Sequence, residues 1–536
     1  MSLHLTRIPE RPRLPGWPVL AAIALVMFPS AAAGVLKPVD ISPAGASGSA
    51  PRIASDGAGN IVVVWRELDG DTASIRAAFQ PAGRDFGSSQ RISAPAAELE
   101  SPEVAMDGLG NAVAVWNRST AQENVVQAAV RPAGGAWGTP ENLSPTGEVA
   151  VNAHVAIAQG RATAVWTALR DRQTRIQSSS RTLTGPWAPA ETLSGPIGNA
   201  SSPAVAMDDQ GGAVASWRWS DGAFLVVQAA VRSPAGLWSQ PEVLSGAGRS
   251  ASPPRVAMDA KGNAVVGWVR HNGSWAAAHV TYRPAGGSWQ VPHNLSDRGN
   301  AGRLDLAMNS RGDAVATWLQ RGRAWSAFRP AASSRWTHAP FAEEWFGGVP
   351  RVALDAAGNA TAVWAGALTI SASFKPVGDP WQHDYAISGD DFDLVEQPAV
   401  TTQRPENATA VWIRAGERDD FIQTISYDIN TYKEEVEEED EDEDDDDETL
   451  TVTAGVVAVR IHCRMRACRG ALALTVQTRR LGSRRFVVPR GRAKVVRVKL
   501  SRLGRELVEQ RRRVRATLVL RQRGDRVHRR TVMLKA

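Results

Sequence analysis

Between residues 50 and 430 short apolar runs alternate with polar punctuation at a steady interval. One unit shows the pattern. Pro102–Met106 (PEVAM) is followed by Asp107-Gly-Leu-Gly110-Asn111, then by Ala112–Trp116 (AVAVW), Val126–Pro132 (VQAAVRP) and the brief Asn142-Leu143-Ser144. Runs this short, rich in Val and Ala and bounded by Gly, Asn and Pro, read as β-strands. Asp side chains bond turn amides and Gly accepts positive φ, so the first two runs form a hairpin. The pattern recurs in Pro254–Met258 with Asp259–Asn263, in Val227–Arg232 and Ile370–Pro376, and in Val243-Leu244-Ser245 and Asn294-Leu295-Ser296.

A Trp closes the second run at 65, 116, 166, 217, 268, 318, 364 and 412, with spacings of 51, 50, 51, 51, 50, 46 and 48. Phe86, Trp137, Trp187, Trp238, Trp289, Trp336 and Trp381 keep step with it. A four-strand unit cannot bury its own faces, so its neighbours must stack on it. Small residues let the sheets approach, and a large indole fills the wedge between them. The expected fold is all-β, an eight-bladed propeller of four-stranded blades over residues 34–432. Val39-Asp40-Ile41-Ser42 matches the fourth-strand motif, and Ser42, Ser93 and Ser144 are 51 apart. After Trp412 a third strand follows (Ile422–Asp428) and then an acidic run begins. The two ends are therefore expected to share one blade, which removes an unpaired edge.

Ser55–Trp65 (SDGAGNIVVVW) resembles the Asp-box hairpins of BNR-repeat, sialidase-like propellers, and the chain resembles secreted bacterial repeat proteins of that kind. An enzyme of that family implies an arginine triad for a carboxylate, a Tyr nucleophile with a Glu, and an Asp acid. Those roles do not carry over residue by residue. Asp56 stands nine residues before Trp65, where an Asp box has five, so the Asp column is read as structural. Arg52 lies in Pro51-Arg-Ile53-Ala54, similar to the family's Arg-Ile-Pro but lacking its Pro. Tyr282 and Tyr427 fall in the third-strand column.

Charge divides the rest of the chain. Glu434–Glu448 is acidic throughout except for Val436 and reads as a disordered linker over 433–450. Residues 451–536 hold 25 Lys and Arg against 3 acids and read as a small basic β-sandwich of immunoglobulin type, with strands at Val456–Ile461, Ala471–Gln477, Lys494–Leu500, Val514–Leu520 and Thr531–Leu534. At the other end, Arg7, Arg11 and Arg13 precede the apolar Pro18–Phe28 and Ala31-Ala32-Ala33, the order of an export signal over 1–33. An apolar run that short does not span a bilayer. A secreted or cell-surface monomer with no transmembrane segment in the mature chain is expected. Cys463 and Cys468, the two cysteines, are then expected to pair.

Chemistry is sparse. The nine His show no ligand spacing, no nucleophile elbow or phosphate loop is present, and no metal or cofactor is expected. Asp390-Asp391-Phe392-Asp393 reads as a solvated loop. An export signal argues against nucleic acid as the target of Arg511–Arg515. What remains is a surface pattern. Arg recurs where the second strand ends, at 66, 118, 170, 218, 270, 321 and 414. Trp219, Trp275, Trp325 and Trp345 fall outside both Trp columns. Aromatic rings beside Arg donors suit sugars and acidic groups. Trp219, Trp275, Trp325 and Trp345 with Arg218, Arg270 and Arg321 are the candidate ligand site, and a glycan or anionic cell-envelope polymer is the candidate partner. Binding is expected ahead of catalysis. A carbohydrate-active hydrolase or lyase and a purely structural repeat protein are the alternatives.

Overall fold

The computed structural model describes residues 38–428, apart from 121–122, 221, 247, 272, 343–347, 367–368, 383–384, 389–394, 405–406 and 417–418. It also describes 448–535, apart from 454–455, 464–467, 477–478, 489–491, 503–504, 506–507, 509–512 and 523–526. The expected export signal, most of the acidic run and the Asp390–Asp393 loop lie outside the described residues. Among the described residues no helix is long and apolar enough to cross a membrane.

The protein is all-β. Four-stranded antiparallel sheets recur along the chain, each built from one repeat in chain order. The first consists of Ser47–Ser55, Ile61–Asp69, Thr72–Gln80 and Gln90–Arg91. In the next unit the apolar runs extend to Glu98–Met106, Ala112–Ser119 and Asn124–Arg131, with Glu141–Asn142 as the short fourth strand, and one parallel pair, Val149 with Asn124, joins this unit to the following one in an eight-stranded sheet. One sheet combines the two ends of this region. Val39–Asp40 pairs with Asp420–Asp428, which continues to Asn407–Ala415 and Val395–Arg404. Val39 stands opposite Thr424 and Asp40 opposite Gln423.

The repeated residues each have a visible task. All eight Trp of the main column are at most 1% exposed. Each sits against apolar residues of the preceding sheet: Trp116 packs with Val62, Val64 and Ile75, and Trp65 with Val411, Ile413 and Ile422. Four of them donate the indole N–H to a Gln on the adjacent third strand: Trp116 to Gln127, Trp166 to Gln177, Trp217 to Gln228 and Trp412 to Gln423, at 3.2, 3.0, 3.1 and 3.2 Å. In seven of the eight units a Ser after the fourth strand accepts a third-strand amide, as Ser144 does from Val126 (3.0 Å) and Ser194 from Ile176 (3.0 Å). Ser42 does the same for Ile422, 380 residues away, at 2.9 Å.

The Asp turn works between sheets as well as within one. Asp107 Oδ1 accepts the amides of Leu109 (3.1 Å) and Asn111 (2.9 Å), and Oδ2 accepts Asn111 Nδ2 (3.0 Å). Asp107 Oδ2 also accepts the amide of Gly160 from the next unit at 2.7 Å. Asn111 Oδ1 accepts the amide of Ala133, pinning the connection after the third strand. This close approach is why the turn needs Gly. At Gly262 φ is +93°, and a Cβ there would lie 2.9 Å from Oδ2 of Asp208 in the preceding unit.

The first strand of each unit packs against that of the next, and Val395–Arg404 packs against Ser47–Ser55. These strands carry a recurrent bulge. Ala50, Ser101, Asn152, Ser202, Arg303 and Gln397 have φ between 50° and 57°, each where the pairing with the second strand slips. Bulges of this kind redirect the side chains that follow them.

Residues 448–535 form a seven-stranded sheet with its own apolar cluster, including Val457, Leu472, Leu474, Leu481, Val498 and Leu534. Two of its strands, Glu448–Thr453 and Arg479–Val488, were not expected from the sequence. Cys463 ends one strand and Cys468 opens the next, and their side chains lie outside the described residues.

Candidate functional site

The recurrent Arg at the second-strand ends do not form one site. Five of them hold neighbouring segments. Arg66 donates to Leu99 O (2.7 Å), Arg118 pairs with Glu123 (3.4 Å) and Arg170 with Glu148 (3.5 Å). Arg218 donates to Ser202 Oγ (3.1 Å) and Arg414 to Asp40 (3.0 Å). Arg270 differs. Its charge stands beside that of Arg249, which adds to burial in lowering its pKa, and its Nε is buried with no hydrogen-bond partner among the described residues, as are those of Arg218 and Arg414. Arg321 is exposed at the tip of a tight hairpin, φ +52°.

The four Trp also separate. Trp275 lies in the connection before the strand Ala276–Arg283. The guanidinium carbons of Arg249 and Arg298 each stand 5.1 Å from its ring centroid. Those two Arg come from successive links into first strands. Arg321 joins them, since its Nε lies beside Gly299. Trp275, Arg249, Arg270, Arg298 and Arg321 thus lie on strand ends and connections of two successive units, with Asp297 the acid next to Arg298. Because cations of its own chain engage the ring, Trp275 orients guanidinium groups rather than offering a bare stacking surface. Trp219 sits on the preceding sheet, half-buried, with its indole N–H donated to Ile197 O at 2.9 Å. Trp325 stands opposite Trp318 on the third strand and packs into the same cluster. Trp345 lies outside the described residues.

Sequence reasoning named Trp275, Arg270 and Arg321 but missed Arg249 and Arg298. They sit in links where no apolar period marks a column. Their common place before a first strand was the available signal.

A second group was missed altogether. In six of the eight first strands the position where pairing with the second strand resumes carries Arg52, Glu103, His154, Arg255, Asp305 or Arg351; Ala204 and Ala399 occupy it in the other two. Arg52 Nε bonds Glu103 at 2.9 Å. Asp305 lies 3.5 Å from Arg255 and 3.6 Å from Arg351, and its other oxygen accepts the Val352 amide at 3.1 Å. Desolvation opposes ionisation of Glu103, but Arg52, His154 and Arg255 outweigh it and hold its pKa below the ordinary value. Desolvation lowers the pKa of His154, reinforced by Arg255, Arg52 and Arg351 against the pull of Glu103. Desolvation also lowers the pKa of Arg351. Three Arg against two carboxylates leave this group with net positive charge. The members stand about 50 residues apart in the chain, so no local window shows them as a set. Among the described residues no group of three or more His, Cys, Asp or Glu comes together to hold a metal ion.

No family model matches this chain, and no curated protein matches it. Solved structures do resemble it. The polysaccharide lyase Uly1 is similar at a TM-score of 0.42 and 11% identity, over 60% of this chain and 88% of that one. A puromycin hydrolase gives 0.42 and 14%, over 71% of this chain and 63% of that one. The Trypanosoma rangeli sialidase in complex with the inhibitor DANA gives 0.34 and 8%, over 75% and 87%. Nothing about function follows from likenesses this distant.

Proposed function

We propose that this chain is an exported binding protein whose repeats form an eight-bladed propeller closed by its own N-terminal strand, and that it holds an acidic glycan or anionic envelope polymer. In this reading residues 1–33 direct export, Cys463 and Cys468 pair, and the basic C-terminal module is a β-sandwich. The cycle of first-strand contacts and the shared end sheet support the closed ring. The binding reading rests on one observation, the two guanidinium groups of Arg249 and Arg298 held over Trp275. Cations already oriented by an aromatic ring lose little freedom when they meet an anion, and each charge-assisted bond contributes about 1.5–3 kcal/mol.

The test is binding of the full chain to immobilised polygalacturonate, with dextran as the neutral control. Binding is expected for the acidic polymer, weakening as salt rises. Arg249→Ala with Arg298→Ala is expected to weaken it at least tenfold. Unchanged affinity in that double variant, or equal binding to dextran, refutes the reading. Shortened polymer in the eluate replaces binding by catalysis.

A further inference from the structure

The charged column of the first strands plays no part in the proposed binding face. Those strands meet in a cycle, each against the next and Val395–Arg404 against Ser47–Ser55. The charges of the column act across it, Arg255 on Glu103 and His154, and Arg52 on Arg351. Arg52, Glu103, Arg255, Asp305 and Arg351 keep between 14% and 34% of their side-chain surface open to solvent, so a dissolved molecule reaches them.

Much of their hydrogen-bonding capacity is unspent. Arg255 and Arg351 approach the same oxygen, Oδ1 of Asp305, at 3.5 and 3.6 Å, beyond ordinary hydrogen-bond length. The other Asp305 oxygen is anchored by the Val352 amide at 3.1 Å. Asp305 therefore holds two like charges together without consuming their donors. Each guanidinium carries several N–H donors, and neither side chain donates a hydrogen bond among the described residues. Glu103 accepts Arg52 through Oε1 at 2.9 Å, and its Oε2 accepts nothing among the described residues. Arg52 and Glu103 neutralise each other, whereas Arg255 and Arg351 outnumber Asp305 and leave a surplus positive charge.

Unpaired guanidinium donors beside a surplus positive charge suit a carboxylate, which such a fork grips through paired bonds. The unspent carboxylate oxygens suit hydroxyl groups. Two residues further along the same strands Ala105, Ala156, Ala206, Ala257, Ala307 and Ala353 line an open cavity of about 460 Å³, and their small side chains leave room for the rest of such a molecule. We propose that this cluster binds a small sugar acid, with its carboxylate on Arg255 and Arg351 and its hydroxyl groups on Glu103 and Asp305. The site shares no residue with the polymer-binding reading and stands without it.

The experiment is calorimetric titration of the full chain with gluconate, beside glucitol, which lacks the charge, and butyrate, which lacks the hydroxyl groups. Saturable one-to-one binding of gluconate is expected, with both controls at least tenfold weaker. Arg255→Gln with Arg351→Gln is expected to weaken gluconate at least tenfold. The unaltered protein gives a second readout that no folding defect can confuse. Phenylglyoxal modifies accessible guanidinium groups, and bound gluconate is expected to slow this severalfold at Arg255 and Arg351, as mapped by mass spectrometry. The exposed Arg172 serves as the control. Equal modification rates with and without gluconate, equal affinity for glucitol or butyrate, or a double variant that binds gluconate as tightly as the parent overturns the proposal.

Discussion

His279 occupies the third-strand position that Gln127, Gln177, Gln228 and Gln423 fill elsewhere. Its ring stacks on Trp268, with centroids 5.9 Å apart and planes 13° apart, and the Trp268 indole N–H has no hydrogen-bond partner among the described residues. His279 is buried, and desolvation lowers its pKa to about 4, with the charges of Arg270 and His293 adding to the effect. The folded pKa is below the unfolded value of about 6.5. Stability from the neutral imidazole is therefore fully present above pH 6.5 and is lost as pH falls towards 4. By linkage the loss at pH 4.5 is about 2.5 kcal/mol. Replacing His279→Gln removes that loss and supplies an acceptor for the indole, worth about 1 kcal/mol at any pH. Urea unfolding of both proteins, followed by Trp fluorescence at pH 7.5 and 4.5, measures the difference. The Gln variant is expected to be more stable by about 1 kcal/mol at pH 7.5, rising to roughly 3.5 at pH 4.5. A difference that does not grow on acidification refutes the account of His279. A Gln variant less stable than the parent at pH 7.5 refutes the account of the Trp–Gln column.

Trp116→Ala removes a fully buried indole from the wedge between two sheets and is expected to cost about 3–5 kcal/mol; an unchanged melting curve would count against wedge packing. Asp107→Asn takes a carboxylate oxygen from the Gly160 amide and from Asn111 Nδ2, and unfolding is expected to register a loss of about 3 kcal/mol. Adding Asn111→Asp to Asp107→Asn is expected to recover part of that loss, because Asn309 and Asp313 carry the same exchange naturally, with Asn309 Nδ2 on Asp313 Oδ2 at 3.0 Å. No recovery in the double variant contradicts the division of the loss between turn and neighbouring sheet.

The fold was legible where local chemistry repeats. Trp, Gly and Ser recur in step because each meets the same neighbour in every unit. The Asp turn was readable as a hairpin, but the bond from Gly160 to Asp107 was not, since nothing in one turn reveals the next. The strand Arg479–Val488 was overlooked because Arg480, Arg484 and Arg485 disguise its apolar residues, among them the buried Leu481. The candidate site was half legible. Trp275 stood out by falling outside the columns, whereas Arg249 and Arg298 are ordinary link residues until the sheets stack. The charged column of Arg52, Glu103, His154, Arg255, Asp305 and Arg351 is a property of strands placed side by side.

The account rests most heavily on the two ends of the repeat region sharing one sheet. Val39 and Thr424 are paired across that sheet, and Cα atoms of paired residues lie within disulfide reach. Substituting Val39→Cys and Thr424→Cys and mapping disulfides by mass spectrometry tests this directly. A near-quantitative bond between positions 39 and 424 within one chain is predicted, with a raised melting temperature. Free thiols at both positions, or bonds only between separate chains, contradict it.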